Sequence, residues 1–500
     1  MGRVTLEKLP PDTPEQSRIT QYKGSRLVVK AYAGTGKTST LVKYALMNPR
    51  DRILYLAFNR AIRDEALSKF PANVDCKTSH QIAFSAIGRQ YGHKLKNNLR
   101  LTDIAQALPS PNWTLAKDIS EALNAFLASA DPRILDVHFC RSERVQGKTR
   151  NQVMYQGQVL DGAQMIWQRM IDIEDSFPIT HDAYLKLYQL SLPNLARKYT
   201  TILFDEAQDS NPVTNHIVLQ QKCKVIYVGD DHQQIYRFRG ASNALQAPFL
   251  SNADTLYLTH SFRFGPQVAM VANALLMLKK ETKPVIGRGS QDQVVTSLPE
   301  GAGGFTVLSR TVIGVITNAL VAAMSGKRIY WVGGIEAYQL AELEDLFWFA
   351  RRQNDRVRNQ KLLKEYRDFE DYEDIAKATK DPEMFRSIAL LNDFDDIPGL
   401  IALMVEQTVT DPANADITVS TAHRCKGLEW QCVVLADDFP DVFDPELEPE
   451  DREDEVNLLY VACTRAMQTL VINQSVALIL RYAKGLAAKK RAALEASNSK

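Results

Sequence analysis

Three short stretches hold residue types suited to phosphate and base chemistry. The first is "AYAGTGKT", Ala31 to Thr38, an apolar run that turns through glycines into a helical pattern. Gly34 and Gly36 let backbone N–H groups close around phosphate oxygens. Lys37 reaches the outer phosphates and Thr38 offers a hydroxyl to Mg2+, with a helix N-terminus facing the anion. Ala31 stands where such loops usually open on Gly. The second stretch is "ILFDEAQD", Ile202 to Asp209, in which an apolar strand delivers Asp205 to the metal shell and Glu206 is set to polarise an attacking water. Together they point to ATP with Mg2+. The candidate ATP contacts are Ala33, Gly34, Thr35, Gly36, Lys37, Thr38 and Ser39, with Thr38 and Asp205 as metal ligands. Gln16, in "TPEQSRI", is a candidate adenine-reading amide.

The third stretch, "VGDDHQQIYRFRGA" (Val228 to Ala241), opens like an acidic strand end and then alternates aromatics with arginines. Tyr236 and Phe238 lie two apart, so an extended loop puts both on one side, where they can stack on bases. Arg239 can hold a phosphate or couple two domains. The competing reading is that these aromatics only pack a domain interface.

The elements that must position these residues follow from pattern. "SRLVVKAYAGTGKTSTLVKYAL", "DRILYLAFNRAIRDEAL", "YTTILFDEAQD" and "KCKVIYVGDD" alternate strands with helices, which predicts a parallel sheet with loops at the strand C-terminal ends. Helical spacing in "TLAKDISEALNAFLASA" and "DGAQMIWQRMIDI" marks an insertion. A second α/β set is expected from Asp254, with "DTLYLTHSFR", "GGFTVLSRT" and "KRIYWVGG", then a charged helical insertion and a return to strands near Asp416. The expected domains are 1–80 with 196–253, an insertion at 81–195, a second domain at 254–335 with 416–480, an insertion at 336–415, and a basic tail at 481–500. The acidic run Asp437 to Glu455, eleven carboxylates against one Arg, reads as a solvated loop. The basic stretches Arg89 to Arg100 and Arg351 to Arg367 read as solvated helix faces, or as surfaces meeting duplex or displaced strand.

Composition narrows the class. At 500 residues the chain exceeds one core, and its formal net charge of +1 means that a nucleic-acid surface must come from local clustering. No apolar run approaches the ~20 residues of a membrane span. Six scattered cysteines without a CxxC pair read as free thiols in a reducing compartment. No His/Cys/carboxylate cluster suggests a nuclease or a structural metal.

The order "AGTGKT", "FNRA", "TSHQIAF", "DEAQD", "GDDHQQIYRFRGA", "SFR", "TAHRCKGLEW", "LLYVACTRA" resembles the motif set of UvrD/Rep-type superfamily 1A DNA helicases across nearly the whole chain. "AGTGKTSTLVKYA", "CKTSHQIAF", "ITHDAYLKLYQL" and "DEAQDSNP" are similar to the F-box DNA helicase branch. Only about twenty-five residues precede the first strand, so the F-box module is expected to be absent. The resemblance implies an α/β fold of two RecA-like, parallel-sheet P-loop domains, each with a mostly helical insertion, and ATP gripped from both. It implies that Gln233 senses the γ-phosphate, that Arg263 and Arg465 act on it from the second domain, that Phe262 stacks on adenine in place of the usual Tyr, and that Glu429 meets the ribose. Phe58, Asn59, Thr78, His80, Thr421 and His423 match positions lining the strand. The implied activity is an ATP-dependent helicase or translocase on single-stranded DNA and ss/ds junctions, moving 3′ to 5′, in repair or recombination. A translocase stripping proteins such as recombinase filaments, and an RNA-directed motor, stay open. Implied partners are recombinase or single-strand-binding proteins, with no membrane and a monomeric chain. The implied location is cytoplasmic and nucleoid-associated in a prokaryote or virus, nuclear in a eukaryote.

Overall fold

The computed structural model describes residues 10–110, 112–139, 150–237, 240, 242–299, 301, 303–379 and 382–498. By packing, the chain divides into two units, one running to Ala31 and from Gly36 to Leu258, the other comprising Tyr32–Thr35 and the chain from Thr259.

The first unit is built on β1 (Arg26–Ala31), β2 (Ile53–Ala57), β3 (Val74–Thr78), β4 (Thr201–Phe204), β5 (Lys224–Gly229) and β6 (Asp254–Leu258). They pair in the order β3-β2-β4-β5-β1-β6, every pair parallel. The inner strands β1, β2, β4 and β5 are near-continuous apolar runs because both faces are covered. Alternation then sorts the side chains. Val28, Leu54, Ile202, Phe204 and Tyr227 feed one core, while Leu27, Val29, Tyr55, Leu203 and Ile226 feed the other.

Among the described residues, the first insertion shares one core with the sheet. Helices Trp113–Ala128 and Arg150–Ile171 direct Ile119, Leu123, Phe126, Ile166 and Trp167 into the core that holds Val28 and Phe204. Its basic stretch is not simply a solvated face. Lys94 is buried, and its Nζ donates to the carbonyls of Arg169 (3.2 Å), Asp175 (2.9 Å) and Asp172, closing the C-terminal end of helix Arg150–Ile171. One further expectation fails here. The strand at Asp254, expected to begin the second set, is the edge strand β6 of the first sheet, in register Leu27 with Asp254. Period and composition identify a strand, and long-range pairing alone says which sheet it joins.

In the second unit, β7 (His260–Ser261) pairs with β8 (Ile286–Gly287). The main sheet has β9 (Gln293–Val295), β10 (Phe305–Ser309), β11 (Ile329–Trp331), β12 (Ile417–Thr421), β13 (Trp430–Leu435) and β14 (Ala466–Val471), in the order β11-β12-β10-β13-β14-β9, all parallel. Its core surrounds helix Val312–Met324, and a separate small cluster of Leu346, Phe349, Val357 and Tyr372 lies within the second insertion. The acidic run is only partly a solvated loop. Residues Pro449–Cys463 are helical, buried Asp438 accepts the N–H groups of Arg310 (2.8 Å) and Thr311 (2.9 Å), and Glu455 pairs with Arg310 at 2.6 Å. Asp438 thereby holds the two residues that lead into helix Val312–Met324, the N-cap Thr311 among them, which counting charge along the chain could not reveal. In the second basic stretch Arg358 is held by Glu344 (2.6 Å) and Asp345 (3.2 Å).

The glycine loop is divided. Tyr32–Thr35, expected within 1–80, groups with the second unit, where the Phe262 N–H donates to the Gly34 carbonyl at 2.8 Å. Gly34 has φ +73°, and a Cβ there would stand 2.5 Å from Ser261 Oγ, so both conformation and space require glycine. Among the described residues no helix is long and apolar enough to cross a membrane, and no group of His, Cys, Asp and Glu is arranged to hold a metal on its own.

Candidate functional site

β4, β5 and β1 are neighbours in the first sheet, so the loops leaving their C-terminal ends converge. After β1, Gly36 in the left-handed region (φ 76°, ψ 36°) opens helix Lys37–Met47. Lys37 Nζ lies 2.7 Å from Glu206 Oε1. Glu206 itself has φ 50°, a conformation uncommon outside glycine, and is the second residue past β4. It is held there by Gln208 Nε2 donating to its Oε2 (2.6 Å) and by its own N–H donating to Asp205 Oδ1 (2.9 Å). The Tyr55 hydroxyl donates to Asp205 Oδ2 at 2.6 Å. After β5, the Asp230 N–H donates to Gln208 Oε1 (3.1 Å), and Gln233 Nε2 donates to Asp230 Oδ2 (2.7 Å). One chain of bonds thus runs Lys37, Glu206, Gln208, Asp230, Gln233.

The electrostatics suit a triphosphate and a hard cation. Burial works to lower the Lys37 pKa, but the charges of Glu206, Asp205 and Asp230 outweigh it and raise the pKa above the ordinary lysine value. Burial, then the Glu206 charge, pushes Asp205 above the usual carboxylate range against the pull of Lys37. Three acids acting on one lysine leave an excess of negative charge, carried on oxygen donors that fit Mg2+. Thr38 and Asp205 are the residues that would hold the ion, half-buried and buried respectively. Of the other loop residues, Thr35 donates its hydroxyl to the Tyr32 carbonyl (2.8 Å) and Ser39 is exposed. Gln16 is buried, and its Oε1 accepts the Thr13 N–H at 3.0 Å in a capping box. Half of the amide expected to read adenine is therefore a helix cap.

Within the second unit the structure joins two expected residues: Arg263 Nε donates to Glu429 Oε2 at 2.7 Å, and Arg263 Nη1 to the Thr464 carbonyl at 3.1 Å. Glu429, expected at a ribose, is partner to an arginine expected at a phosphate. Arg465 is only 1% exposed and donates to the carbonyls of Val461 (2.9 Å) and Leu428 (3.3 Å). Phe262 presents about half of its surface to solvent.

The residues expected on the nucleic-acid track divide by role. Phe58 and Tyr236 are brought together as stacked rings, with centroids 6.1 Å apart and planes within 12°. Phe238 and Arg239 lie outside the described residues. Asn59 and Thr78 cap the helices Arg60–Lys69 and Ser79–Ala86, their side-chain oxygens accepting from Ile62 (2.9 Å) and Gln81 (3.3 Å). His80 Nε2 donates to Asp182 Oδ1 at 3.0 Å, and its ring stands edge-on to Tyr184. The His80 hydrogen bond, more than the opposing desolvation, lowers the Asp182 pKa. In the second unit Thr421 ends β12 and accepts the Arg424 N–H at 3.3 Å, and His423 follows half-buried.

Four residues of the site were missed from sequence: Tyr55, Gln208, Asp230 and Asp182. Gln208 and Asp230 sit inside "DEAQD" and "GDD", where a polar side chain in the acidic turn just after an apolar strand is the available signal. Tyr55 reads as a core strand residue, and its hydroxyl partner is 150 positions away.

Comparisons with known proteins point to one family. Residues 12–252 match the UvrD/REP helicase N-terminal domain, and residues 179–476 match the UvrD-like helicase C-terminal domain. The chain is 36% identical to the F-box DNA helicase 1 of Gallus gallus, over 94% of this chain and 50% of that protein. It is 30% identical to the F-box DNA helicase protein 1 of Schizosaccharomyces pombe, over 95% of this chain and 58% of that protein. A probable DNA helicase II homolog of Rickettsia conorii matches at 22% over 92% of both chains. The chain thus spans about half the length of the two F-box relatives. With two parallel-sheet units, a glycine loop leading into Lys37 and a strand-end Asp205–Glu206 pair, the chain belongs to the UvrD-like helicase family.

Proposed function

We propose that the chain is an ATP-dependent DNA helicase or single-strand translocase that moves 3′ to 5′ on single-stranded DNA and at ss/ds junctions. The observation that carries this reading is the 2.7 Å pairing of Lys37 with Glu206 beside buried Asp205, on a bonded path to Gln233. A phosphate oxygen arriving at Lys37 competes with Glu206 for the ammonium. Glu206 keeps Gln208 on its other oxygen and is then placed to orient and polarise a water. Mg2+ held by Thr38 and Asp205 supplies charge neutralisation at the phosphates when bound. Arg263 and Arg465 of the second unit are proposed to meet the developing phosphoryl charge. Loss of the γ-phosphate is felt at Gln233, three residues before Tyr236. Phe58 and Tyr236 supply stacking faces blind to base sequence.

The test is Lys37→Ala, expected to abolish ATP hydrolysis while sparing binding to single-stranded DNA. Loss of DNA binding with hydrolysis retained contradicts the two-site reading. Unwinding of 3′-tailed against 5′-tailed duplexes, run beside displacement of a bound recombinase, reads polarity and separates unwinding from stripping. Activity on 3′-tailed duplex alone is expected, and preference for the 5′ tail refutes the proposed direction.

A further inference from the structure

Helix His181–Leu190 carries a lysine that the proposed phosphate and base chemistry does not use. Lys186 is fully buried, its Nζ donating to the carbonyls of Ser129 (2.8 Å) and Asp131 (2.5 Å) and lying 4.5 Å from the centre of the Phe126 ring. Three residues on, Gln189 Nε2 donates to the intervening carbonyl of Ala130 at 3.2 Å. Three successive carbonyls just past helix Trp113–Ala128 are thus gripped from one face of one helix, at the end where a cation suits the helix dipole. Burial, only partly offset by Asp131, pulls Lys186 down to about 8. Keeping a lysine in so dry a place costs free energy, which the carbonyl grip and the aromatic face offset.

The gripped turn directly follows Ala128, whose side chain faces Gly240 of the Tyr236 loop. Gly240 has φ +78°, and a Cβ there would meet the Cβ of Ala128 at 3.7 Å. The Gly240 N–H donates to the carbonyl of Arg237, the residue after Tyr236, at 2.9 Å. Beyond it, the Ser242 N–H donates to the Ser210 carbonyl at 2.8 Å, and Ser210 directly follows the acidic loop. The same helix presents Asp182 to His80 at 3.0 Å.

We infer that Lys186 is a positioning residue for strand binding: it fixes the turn that anchors the end of helix Trp113–Ala128, whose Ala128 faces Gly240, and through Gly240 and Arg237 the placement of Tyr236. This rests on the proposed reading of Tyr236 as a base-stacking residue. The test is a double-mutant cycle on the full chain, with Lys186→Met and Tyr236→Ala read by oligothymidylate affinity and by ATP turnover without DNA. Each single variant is expected to weaken binding about tenfold, and the double no more than the stronger single, because both act through one contact. ATP turnover without DNA stays unchanged in Lys186→Met, and Lys186→Arg restores part of the affinity. Unchanged affinity in Lys186→Met, or losses that multiply to about a hundredfold, overturns the inference while leaving the stacking reading intact. Unchanged affinity in Tyr236→Ala overturns both. Should Lys186→Met not fold, Gln189→Met enters the same cycle under the same criteria.

Discussion

Arg263 and Arg465 are both proposed to act on the nucleotide, yet their surroundings differ. Arg263 is shared between Glu429 and one carbonyl, whereas Arg465 is fully enclosed and donates to carbonyls of Val461 and Leu428. Arg263→Ala is expected to lower ATP turnover by ~10³-fold or more with little change in the urea unfolding midpoint, and Arg263→Lys should not restore it. Arg465→Ala should lose turnover and also at least ~2 kcal/mol of stability, since a fully enclosed side chain is removed together with its hydrogen bonds. An unaltered midpoint in Arg465→Ala would show that its burial is incidental. Lys186 gives a pH signature. Its folded value of about 8 lies below the ordinary lysine value, so between the two the unfolded chain holds the proton more firmly. Stability relative to Lys186→Met should therefore rise as pH climbs from about 8 to about 10, and be lowest below that window. Urea titrations of both proteins at the two ends of the window check the sign.

Elements turn polar residues to uses that motif positions alone do not disclose. Asn59, Thr78 and Gln16 were expected at ligands, and each has a side-chain oxygen in a helix cap. Thr78→Ala should cost about 1 kcal/mol of stability whatever it does to DNA binding, and Thr78→Ser should recover most of that. If Thr78→Ser restores stability but not DNA affinity, the methyl group faces the strand. The acidic run divides in the same way. Asp438→Ala, which leaves the N–H groups of Arg310 and Thr311 without their acceptor just before helix Val312–Met324, is expected to cost more than ~2 kcal/mol. Asp451→Asn, an exposed acid of the same run, should stay within about 1 kcal/mol. Equal costs in chemical denaturation would return the whole run to the role of a solvated loop.

For the whole molecule, a formal net charge of +1 sets an expectation for salt. If stacking by Phe58 and Tyr236 carries much of the affinity, few phosphates are neutralised. The plot of log affinity for oligothymidylate against log salt should then be no steeper than about −4, near six phosphates. A steeper slope would point to a broad basic surface instead. The sequence alone determined the class of the fold and marked the residues proposed to carry the chemistry. Loop, acid pair and alternating strands are local signals, in which adjacent residues and a short period carry the information, and "AGTGKT" and "DEAQD" could be read without knowing their neighbours. Only the tertiary structure decided what depends on residues far apart in the chain. It put Asp254–Leu258 at the edge of the first sheet, Tyr55 on Asp205, Glu429 on Arg263, Asp438 at a helix start 127 positions away, and Lys186 under the turn after helix Trp113–Ala128. The reason is physical. A strand's period tells which face is buried but not which edge it pairs with, and a charge's sign does not name the partner that packing brings within three ångströms.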